Sequence, residues 1–235
     1  MIPAGSGGGA ESAPEREDQG MAASNDNRLD HVILGVSTLD QGITEFRTLT
    51  GVEPTRGGSH PQYGTVNALA SMGDSYLEIF SHADGLMGGP RFGLIDFAMR
   101  APRIEATAEA ARQAGLEVLW VPGERRTPAG DVLRWRAFEL LGHGFAGALP
   151  FFIDWQSTPN PARTAPGGLE EPSLRIGHPA ADQLLELYRR LGIAIHLDHA
   201  PVPRLTLEVG APTGRVSFQG EPIGWRGALA TGVRQ

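Results

Sequence analysis

Two polar side chains stand inside apolar segments of this sequence, where their burial would need a chemical reason. His31 lies in the run LDHVILGV and Glu78 in the run YLEIF, and both runs have the pattern of a buried strand. A carboxylate between Leu77 and Ile79 is costly to bury unless it meets a metal ion, a cation or hydrogen-bond donors. We therefore interpret His31 and Glu78 as candidate site residues that could hold a metal ion or move a proton.

Both candidates also have a purely structural interpretation. His31 could be a hydrogen-bonded histidine near the start of a strand, and Glu78 could form an ion pair with Arg134 or Arg136, because buried carboxylates are usually paired. Strand alternation nevertheless places His31 on the same face as Ile33, opposite a branched apolar set suited to packing under a helix. We therefore expect His31 to face a cleft.

A second set of polar side chains could bind a small ligand by hydrogen bonds. Thr65 and Asn67 share one face of a predicted strand, and His60 precedes them in a segment that could fold over the cleft. Arg134 and Arg136 alternate along another predicted strand, so both could bind a substrate carboxylate or phosphate. The alternatives are an exposed edge strand, a turn at His60, and arginines that are solvated or paired.

The composition limits the remaining chemistry. The 235 residues include no cysteine, and all 20 basic residues are arginine, which excludes disulfides, thiolate catalysis and a lysine Schiff base. The formal charge of −7 argues against a nucleic-acid or acidic-membrane partner, since both need a basic face. No apolar run approaches the about 20 residues of a membrane span. We expect a cytoplasmic protein whose partner is a small molecule.

The elements that must position these side chains recur along the chain. Helices are predicted over 39–50, 104–114 and 180–191, and each ends at a glycine, where a left-handed conformation costs little. Strands are predicted over 29–36, 64–72, 75–80, 93–99, 117–121, 132–140, 150–155, 174–177, 193–196, 205–209 and 216–219. A unit of one strand, a helix and further strands, repeated over about 65 to 75 residues, indicates an α+β fold built from βαβββ modules.

We divide the chain into four parts on this basis. Residues 1–28 are rich in Gly, Ala, Ser, Pro and Glu and are predicted to be a disordered tail. Residues 29–156 are predicted to form two paired modules that enclose a central cleft. Residues 157–172 are a polar linker, and residues 173–235 are a third, degenerate module that we expect to pack on the first two.

The order of the motifs resembles a known family. LDHVILGV, GGSHPQYGTVNAL, YLEIF, LRWRAFEL and PFFIDW follow one another as in the glyoxalase-like branch of the vicinal oxygen chelate superfamily, over about residues 29–155. The resemblance implies paired βαβββ modules that form a half-open barrel around a concave site. Many members hold a divalent metal ion there, whereas others bind drugs without metal. Because members include isomerases, lyases, epimerases and dioxygenases, the fold does not decide the reaction.

The resemblance also implies a set of metal ligands. In the superfamily the first and fourth strands of a module each supply a ligand, and His31 and Glu78 occupy these places. In the second module Asp154 stands where a ligand carboxylate is expected, but the first strand offers only Asp96. His60 could supply the missing ligand. One imidazole and two carboxylates suit Mg²⁺, Mn²⁺ or Fe²⁺, and suit zinc less well.

Three hypotheses follow. In the first, His31, Glu78 and Asp154 hold a divalent metal, and Glu78 is also the catalytic base of a lyase or isomerase acting on a small oxygen-rich metabolite. In the second, Glu78, Asn67 and the arginines bind a small molecule by hydrogen bonds and ion pairs, without metal or chemistry; independently of this choice, Asp154 could cap the turn into the linker. In the third, the C-terminal module serves assembly, for example of a homodimer.

Overall fold

The structure is a computed structural model that describes residues 27–60, 63–83, 92–121, 123–127, 130 and 132–225. Within this part of the chain, three α-helices and two sheets, of nine and four strands, form a mixed α+β fold. The predicted tail over residues 1–28, apart from its last two residues, and the last ten residues of the predicted third module lie outside the described residues. None of the described helices combines the length and apolarity that a bilayer crossing needs.

The first module has the predicted order of elements and one strand that was not predicted. Its elements are β1 (Arg28–Val36), α1 (Leu39–Thr50), β2 (Thr55–His60), β3 (Thr65–Ser71) and β4 (Tyr76–His82). The unpredicted strand is β2. Helix α1 begins after Thr38, whose side chain accepts the Gln41 N–H, and ends at Gly51 with a φ of 73°. Strand β4 lies parallel to β1, so the last strand of the module returns beside the first.

The second module repeats this plan with a divided edge strand. Its elements are β5 (Phe92–Arg100), α2 (Ile104–Gln113), β6 (Glu117–Trp120), β7 (Gly123–Arg126), β8 (Val132–Leu141) and β9 (Phe151–Asp154). Both β6 and β7 pair with β8, so the two short strands together take the place of β2. Strand β9 lies parallel to β5, as β4 does to β1.

The two modules join into one curved sheet that nearly closes into a barrel. Strands β1 and β5 pair antiparallel along most of their length, which connects the modules at their first strands. On the other side, β2 meets β7 through Ser59 and Arg126. This architecture confirms the predicted barrel of paired modules, and its interior is the central cleft.

Alternation along the strands separates a core from the barrel interior. Val32 and Leu34 on β1, and Leu77 and Ile79 on β4, are fully buried between the sheet and the helices. Each such side chain stabilises the fold by roughly 1.5–3 kcal/mol. Their neighbours along each strand point to the opposite face, into the barrel. The apolar alternation therefore directs His31 and Glu78 inward.

The third module has the predicted order of elements but a different order of strands in its sheet. Its elements are β10 (Glu170–His178), α3 (Ala181–Leu191), β11 (His196–His199), β12 (Arg204–Ala211) and β13 (Gly214–Gly220). Strand β11 lies directly beside β10 and parallel to it, a place taken by the last strand in the other modules. The Tyr188 hydroxyl donates to the Ala148 carbonyl at 2.5 Å, and the Phe46 and Phe218 rings stack, which attaches this module to the barrel.

Candidate functional site

The barrel interior contains a pocket with aromatic walls. It offers about 750 Å³ of space, a volume that includes solvent at its open mouth. Its aromatic lining consists of Tyr63, Tyr76, Phe80, Trp135, Phe151, Trp155 and Trp225. Its polar lining consists of His31, His60, Thr65, Asn67, Glu78 and Glu139.

The structure brings the two central candidates together. His31 on β1 and Glu78 on β4 both line the pocket and are both buried. Their strands are parallel neighbours, with Glu78 opposite Ile33. The His31 Nε2 atom lies 3.5 Å from the Glu78 Oε2 atom, so the protonated imidazole and the carboxylate can form an ion pair.

A third side chain, Asp30, orients this pair. The pairing of β1 with β5 shifts register between Leu29 and His31, and this irregularity lets Asp30 reach the His31 ring instead of following strict alternation. The Asp30 Oδ1 atom lies 2.8 Å from His31 Nδ1. Asp30 is fully buried and also accepts hydrogen bonds from Trp155 Nε1 at 3.2 Å and Asn160 Nδ2 at 2.6 Å. The His31 ring is thereby fixed with Nε2 toward Glu78.

The environment of His31 favours its protonated form. Burial alone would lower the pKa of His31, but the hydrogen bond to Asp30 and the charges of Asp30, Glu78 and Asp96 outweigh burial and raise the pKa above its usual 6.5. A protonated His31 donates to Asp30 through Nδ1 and presents its second N–H on the side of Glu78. The site therefore contains an acid beside a carboxylate base.

Asn67 contacts Glu78 and also lines the pocket. Its Nδ2 atom donates to Glu78 Oε1 at 2.6 Å, which leaves Oε2 on the side of His31. The Asn67 Oδ1 atom is buried and has no hydrogen-bond partner among the residues that the structure describes. An unsatisfied buried carbonyl is costly, so this oxygen is suited to a donor on a bound ligand or to a water molecule.

His60 and Thr65 also reach the pocket, as placed by the sequence. The Thr65 Oγ1 atom lies 3.2 Å from His60 Nδ1, and the His60 ring meets the edge of Trp135 with 6.0 Å between centroids. Both residues therefore belong to the pocket wall. Their predicted role in binding a ligand stays a prediction.

The predicted arginines lie elsewhere, and their proposed contact with a substrate is corrected. The Arg134 Nε atom lies 3.3 Å from Glu124 Oε2 on the exposed surface, and Arg136 pairs with Glu105 of α2. The reason is the alternation of side chains along β8, where Phe138 is fully buried in the core on the helix side of the sheet. The residues that alternate with Phe138 face the barrel, whereas the two arginines share its outward face.

Glu139 is the residue that the analysis of β8 missed. It lines the pocket in phase with Trp135 and Ala137 and is buried. The signal was present in the sequence, because Glu139 is a carboxylate inside the apolar run FELL, as Glu78 is inside YLEIF. The same cost of burying a carboxylate in an apolar segment would have marked it as a candidate site residue.

Asp154 is also not brought to the pocket, which corrects its predicted place among the metal ligands. It shares the outward face of β9 with the core residue Phe152, while Phe151 and Ile153 line the pocket. The Asp154 Oδ1 atom accepts the backbone N–H of Gln156 at 2.9 Å. Asp154 therefore caps the turn after β9.

Asp96 lines a neighbouring cavity that also touches Glu139. Its Oδ1 atom accepts the Phe97 N–H at 2.8 Å and its Oδ2 atom accepts the Trp225 N–H at 2.9 Å. Burial raises the pKa of Asp96 to about 7, and the charge of Glu139 acts in the same direction, while the two backbone hydrogen bonds oppose the rise. Asp96 therefore gains or loses its proton near neutral pH.

The segment after β13 crosses back over the barrel and supplies part of the pocket wall. The Gly224 N–H donates to Ile95 O at 2.9 Å, and the Gly147 N–H donates to Pro222 O at 2.8 Å. The Trp225 ring packs edge-on against Tyr63, with 5.1 Å between centroids. The third module thus contributes Trp225 to a site formed by the first two, which no local sequence pattern indicated.

The donor set does not complete the predicted metal site. His31 and Glu78 provide two donors close to each other, but Asp154 points away. Within the residues that the structure describes, no group of three or more His, Asp or Glu side chains is placed to hold one ion. A zinc site normally uses at least three protein ligands, and His31 and Glu78 supply two. We therefore derive no chemical step through a metal.

Comparison with known proteins identifies the family. A family model described as a glyoxalase-like domain matches residues 29–192, which is most of the chain. No curated protein matches the sequence. A hypothetical protein from Staphylococcus aureus is similar in structure, with a TM-score of 0.58 and 15% identity over 83% of this chain and 86% of that one.

Two methylmalonyl-CoA epimerases align less closely. The enzyme from Streptomyces coelicolor, solved with 2-nitronate-propionyl-CoA, has a TM-score of 0.41 and 22% identity over 54% of this chain and 96% of that one. The enzyme from Mycobacterium tuberculosis has a TM-score of 0.40 and 19% identity over 57% and 91%. With the paired βαβββ barrel and the family match together, the chain belongs to the glyoxalase-like domain family of the vicinal oxygen chelate superfamily.

Proposed function

We propose that this protein binds a small organic molecule in the barrel pocket and transfers a proton on it, as an isomerase or lyase does. The observation that carries the proposal is the buried pair of His31 Nε2 and Glu78 Oε2 at 3.5 Å in the pocket wall, with Asp30 on the other ring nitrogen. An acid and a base held side by side in a water-poor site are the elements of general acid–base catalysis.

The chemistry can be written from these side chains alone. A substrate with a C–H bond next to a carbonyl, placed beside Glu78 Oε2, loses its proton to the carboxylate, and the bonding electron pair moves to the carbonyl oxygen. Protonated His31 donates its Nε2 proton to that oxygen, which gives a neutral enol. Return of the proton from Glu78 to carbon, with return of the enol O–H proton to His31, completes an isomerisation. Where the next carbon carries a leaving group, the enol O–H proton returns to His31, the carbonyl re-forms, a double bond forms between the two carbons, and the group leaves with the proton from Glu78, which completes an elimination. The Asn67 hydrogen bond holds Glu78 so that Oε2 faces this exchange.

Hydrogen–deuterium exchange at carbon tests this proposal. Phenylacetone, phenylacetaldehyde and 2-keto acids with a C–H bond beside the carbonyl are incubated with the protein in D₂O, and loss of that C–H signal is followed by ¹H NMR. We expect exchange of at least one probe, slowed about 100-fold in Glu78→Gln because the base is lost. Glu53→Gln, on the exposed surface beside Arg47, is the matched control and keeps the rate. Exchange that is equally fast in Glu78→Gln contradicts the assignment of the base.

Binding without chemistry is the second candidate function. The aromatic walls favour it because they suit retention of an apolar ligand. Quenching of tryptophan fluorescence by a probe that shows no exchange supports this candidate against catalysis.

Metal analysis of protein purified without chelator separates the metal-assisted hypothesis from both candidates. One equivalent of metal that is lost in His31→Ala and in Glu78→Gln favours metal-assisted chemistry. A cytoplasmic location and a homodimer stay predictions.

A further inference from the structure

The charged groups of the pocket are mainly acidic, and this property indicates what the pocket binds. We infer that the pocket selects an aromatic organic cation, such as an arylalkylammonium compound, over its neutral and anionic analogues. The inference rests on the proposed function, since it names the class of molecule that enters the same pocket. It concerns the charge that binds and involves no change of bonds.

The first observation is the sign of the lining charges. Glu78 and Glu139 both line the pocket and are buried, and Asp96 adjoins the end where Glu139 lies. Among the pocket-lining residues that the structure describes, none is an arginine. Protonated His31 is a cationic group of the lining, and its charge is offset by the Asp30 carboxylate at Nδ1 and the Glu78 carboxylate 3.5 Å from Nε2. Because charges interact more strongly in a buried site than in water, these carboxylates favour a cation and disfavour an anion.

The second observation is the hydrogen-bonding character of the open polar atoms. The buried Asn67 Oδ1 atom has no partner among the described residues, and it is an acceptor because Nδ2 of the same amide donates to Glu78. The carboxylate oxygens of the lining are acceptors as well. An ammonium group carries three N–H donors and no acceptor, so it matches this set. A carboxylate ligand offers only acceptors and leaves Asn67 Oδ1 unsatisfied.

The third observation is the aromatic wall. Trp135 and Trp155 lie with 5.5 Å between their ring centroids, and Trp225 with Tyr63 closes the other part of the pocket. The faces of such rings attract cations, and more strongly when the site excludes water. The same rings stack on the aromatic part of a ligand. Charge, hydrogen bonding and aromatic surface therefore all favour one ligand class.

A matched series of three probes tests the inference. 2-Phenylethylammonium, 2-phenylethanol and 3-phenylpropionate carry similar rings and differ in charge. Binding is followed by tryptophan fluorescence at about pH 8, because Trp135, Trp155 and Trp225 line the pocket. We expect the ammonium compound to bind at least about fivefold more tightly than the alcohol, and the propionate to bind most weakly.

Variants locate the source of the preference. Glu139→Gln is expected to reduce the preference for the ammonium compound over the alcohol at least about threefold, because it removes one lining carboxylate. Retained binding of the alcohol shows that this variant is folded. Glu186→Gln changes the charge equally, but Glu186 lies exposed on α3 beside Arg190, so the preference stays unchanged.

The outcomes separate this inference from the proposed function. Binding of the propionate as tight as that of the ammonium compound overturns the cation preference and leaves the pocket as a ligand site. The same change of preference in Glu186→Gln as in Glu139→Gln also overturns the inference, because the effect then comes from the overall charge of the protein. Failure of all three probes to bind overturns the inference as well, while carbon exchange in D₂O still reports on proton transfer by Glu78.

Discussion

At the scale of single residues, the site depends on a chain of hydrogen bonds that starts at a buried carboxylate. Asp30 accepts from His31, Trp155 and Asn160, and these donors come from two parts of the sequence, residue 31 and the segment 155–160. His31 then faces Glu78, which is held by Asn67. A buried network of this kind is stable only when its members are satisfied, so each partner restricts the geometry of the others.

Replacement of Asp30 by asparagine tests how far this carboxylate controls His31. Burial lowers the pKa of His31, and Asp30 is the leading group that raises it, so Asp30→Asn is expected to lower this pKa. NMR titration of the His31 ring protons measures the change. In Asp182→Asn the pKa of His31 stays at its wild-type value, because Asp182 contacts His199 on the surface. An unchanged His31 pKa in Asp30→Asn contradicts the assignment.

At the scale of elements, the alternation of side chains along β8 decides which of them face the pocket. Trp135, Ala137 and Glu139 face the pocket because Phe138 packs in the core. Trp135 lies over the backbone of β7, where residue 123 is glycine. The absence of a side chain at Gly123 therefore leaves room for the indole ring in the pocket wall.

Substitution of Gly123 tests this packing. A Cβ atom there would lie 2.3 Å from the Trp135 ring, so Gly123→Ala must displace the indole and is expected to destabilise the fold by about 1–3 kcal/mol. Urea denaturation measures the loss, and the tryptophan emission spectrum reports the displacement. Gly167→Ala is the control, since a Cβ atom meets nothing within 4 Å there. Equal stability of the two variants contradicts the assigned packing.

At the scale of the whole molecule, the third module completes the barrel. Tyr188 of α3 donates to the Ala148 carbonyl, and the segment after β13 returns to place Trp225 over the pocket. Asp96 connects the two parts, because this barrel residue accepts the Trp225 N–H. Titration of Asp96 therefore links the stability of the molecule to pH.

The sign of this linkage follows from the raised pKa of Asp96. In the unfolded chain the pKa of Asp96 is near 3.8, and in the folded protein it is about 7. The contribution of protonated Asp96 to the unfolding free energy is therefore complete below pH 3.8 and is lost as the pH rises through 7. An asparagine side chain does not titrate, so Asp96→Asn removes this pH-dependent contribution. Between about pH 4.5 and 6.5, the unfolding free energy of Asp96→Asn is expected to fall less with rising pH than that of wild type. The two slopes are expected to differ by up to roughly 1.4 kcal/mol per pH unit.

Urea denaturation at several pH values across this interval measures the difference. His31 also has a raised pKa and contributes with the same sign, but its effect is lost only above pH 6.5, so the lower interval reports mainly on Asp96. Asp154→Asn is the control, because its carboxylate lies outside the pocket. Parallel curves for wild type and Asp96→Asn contradict the linkage.

Local sequence patterns determined much of this molecule. Helix α1 spans the predicted residues, α2 and α3 differ from prediction by one residue, and the alternation of β1 and β4 correctly directed His31 and Glu78 into the barrel. These features depend on the spacing of apolar residues and on helix-ending glycines, which act within a few residues of the chain. The strand predicted at 193–196 was misplaced, since β11 spans His196–His199.

Only the tertiary structure decided the rest. On β8 and β9 either face has apolar residues, and packing against the helices chose the face that turned Arg134, Arg136 and Asp154 outward and Glu139 inward. The irregularity at Asp30 arises from pairing with β5, a strand more than sixty residues away. Asn160 and Trp225 reach the site by contacts across most of the chain. Such contacts depend on which surfaces the whole chain buries together, and a local pattern carries no information about that choice.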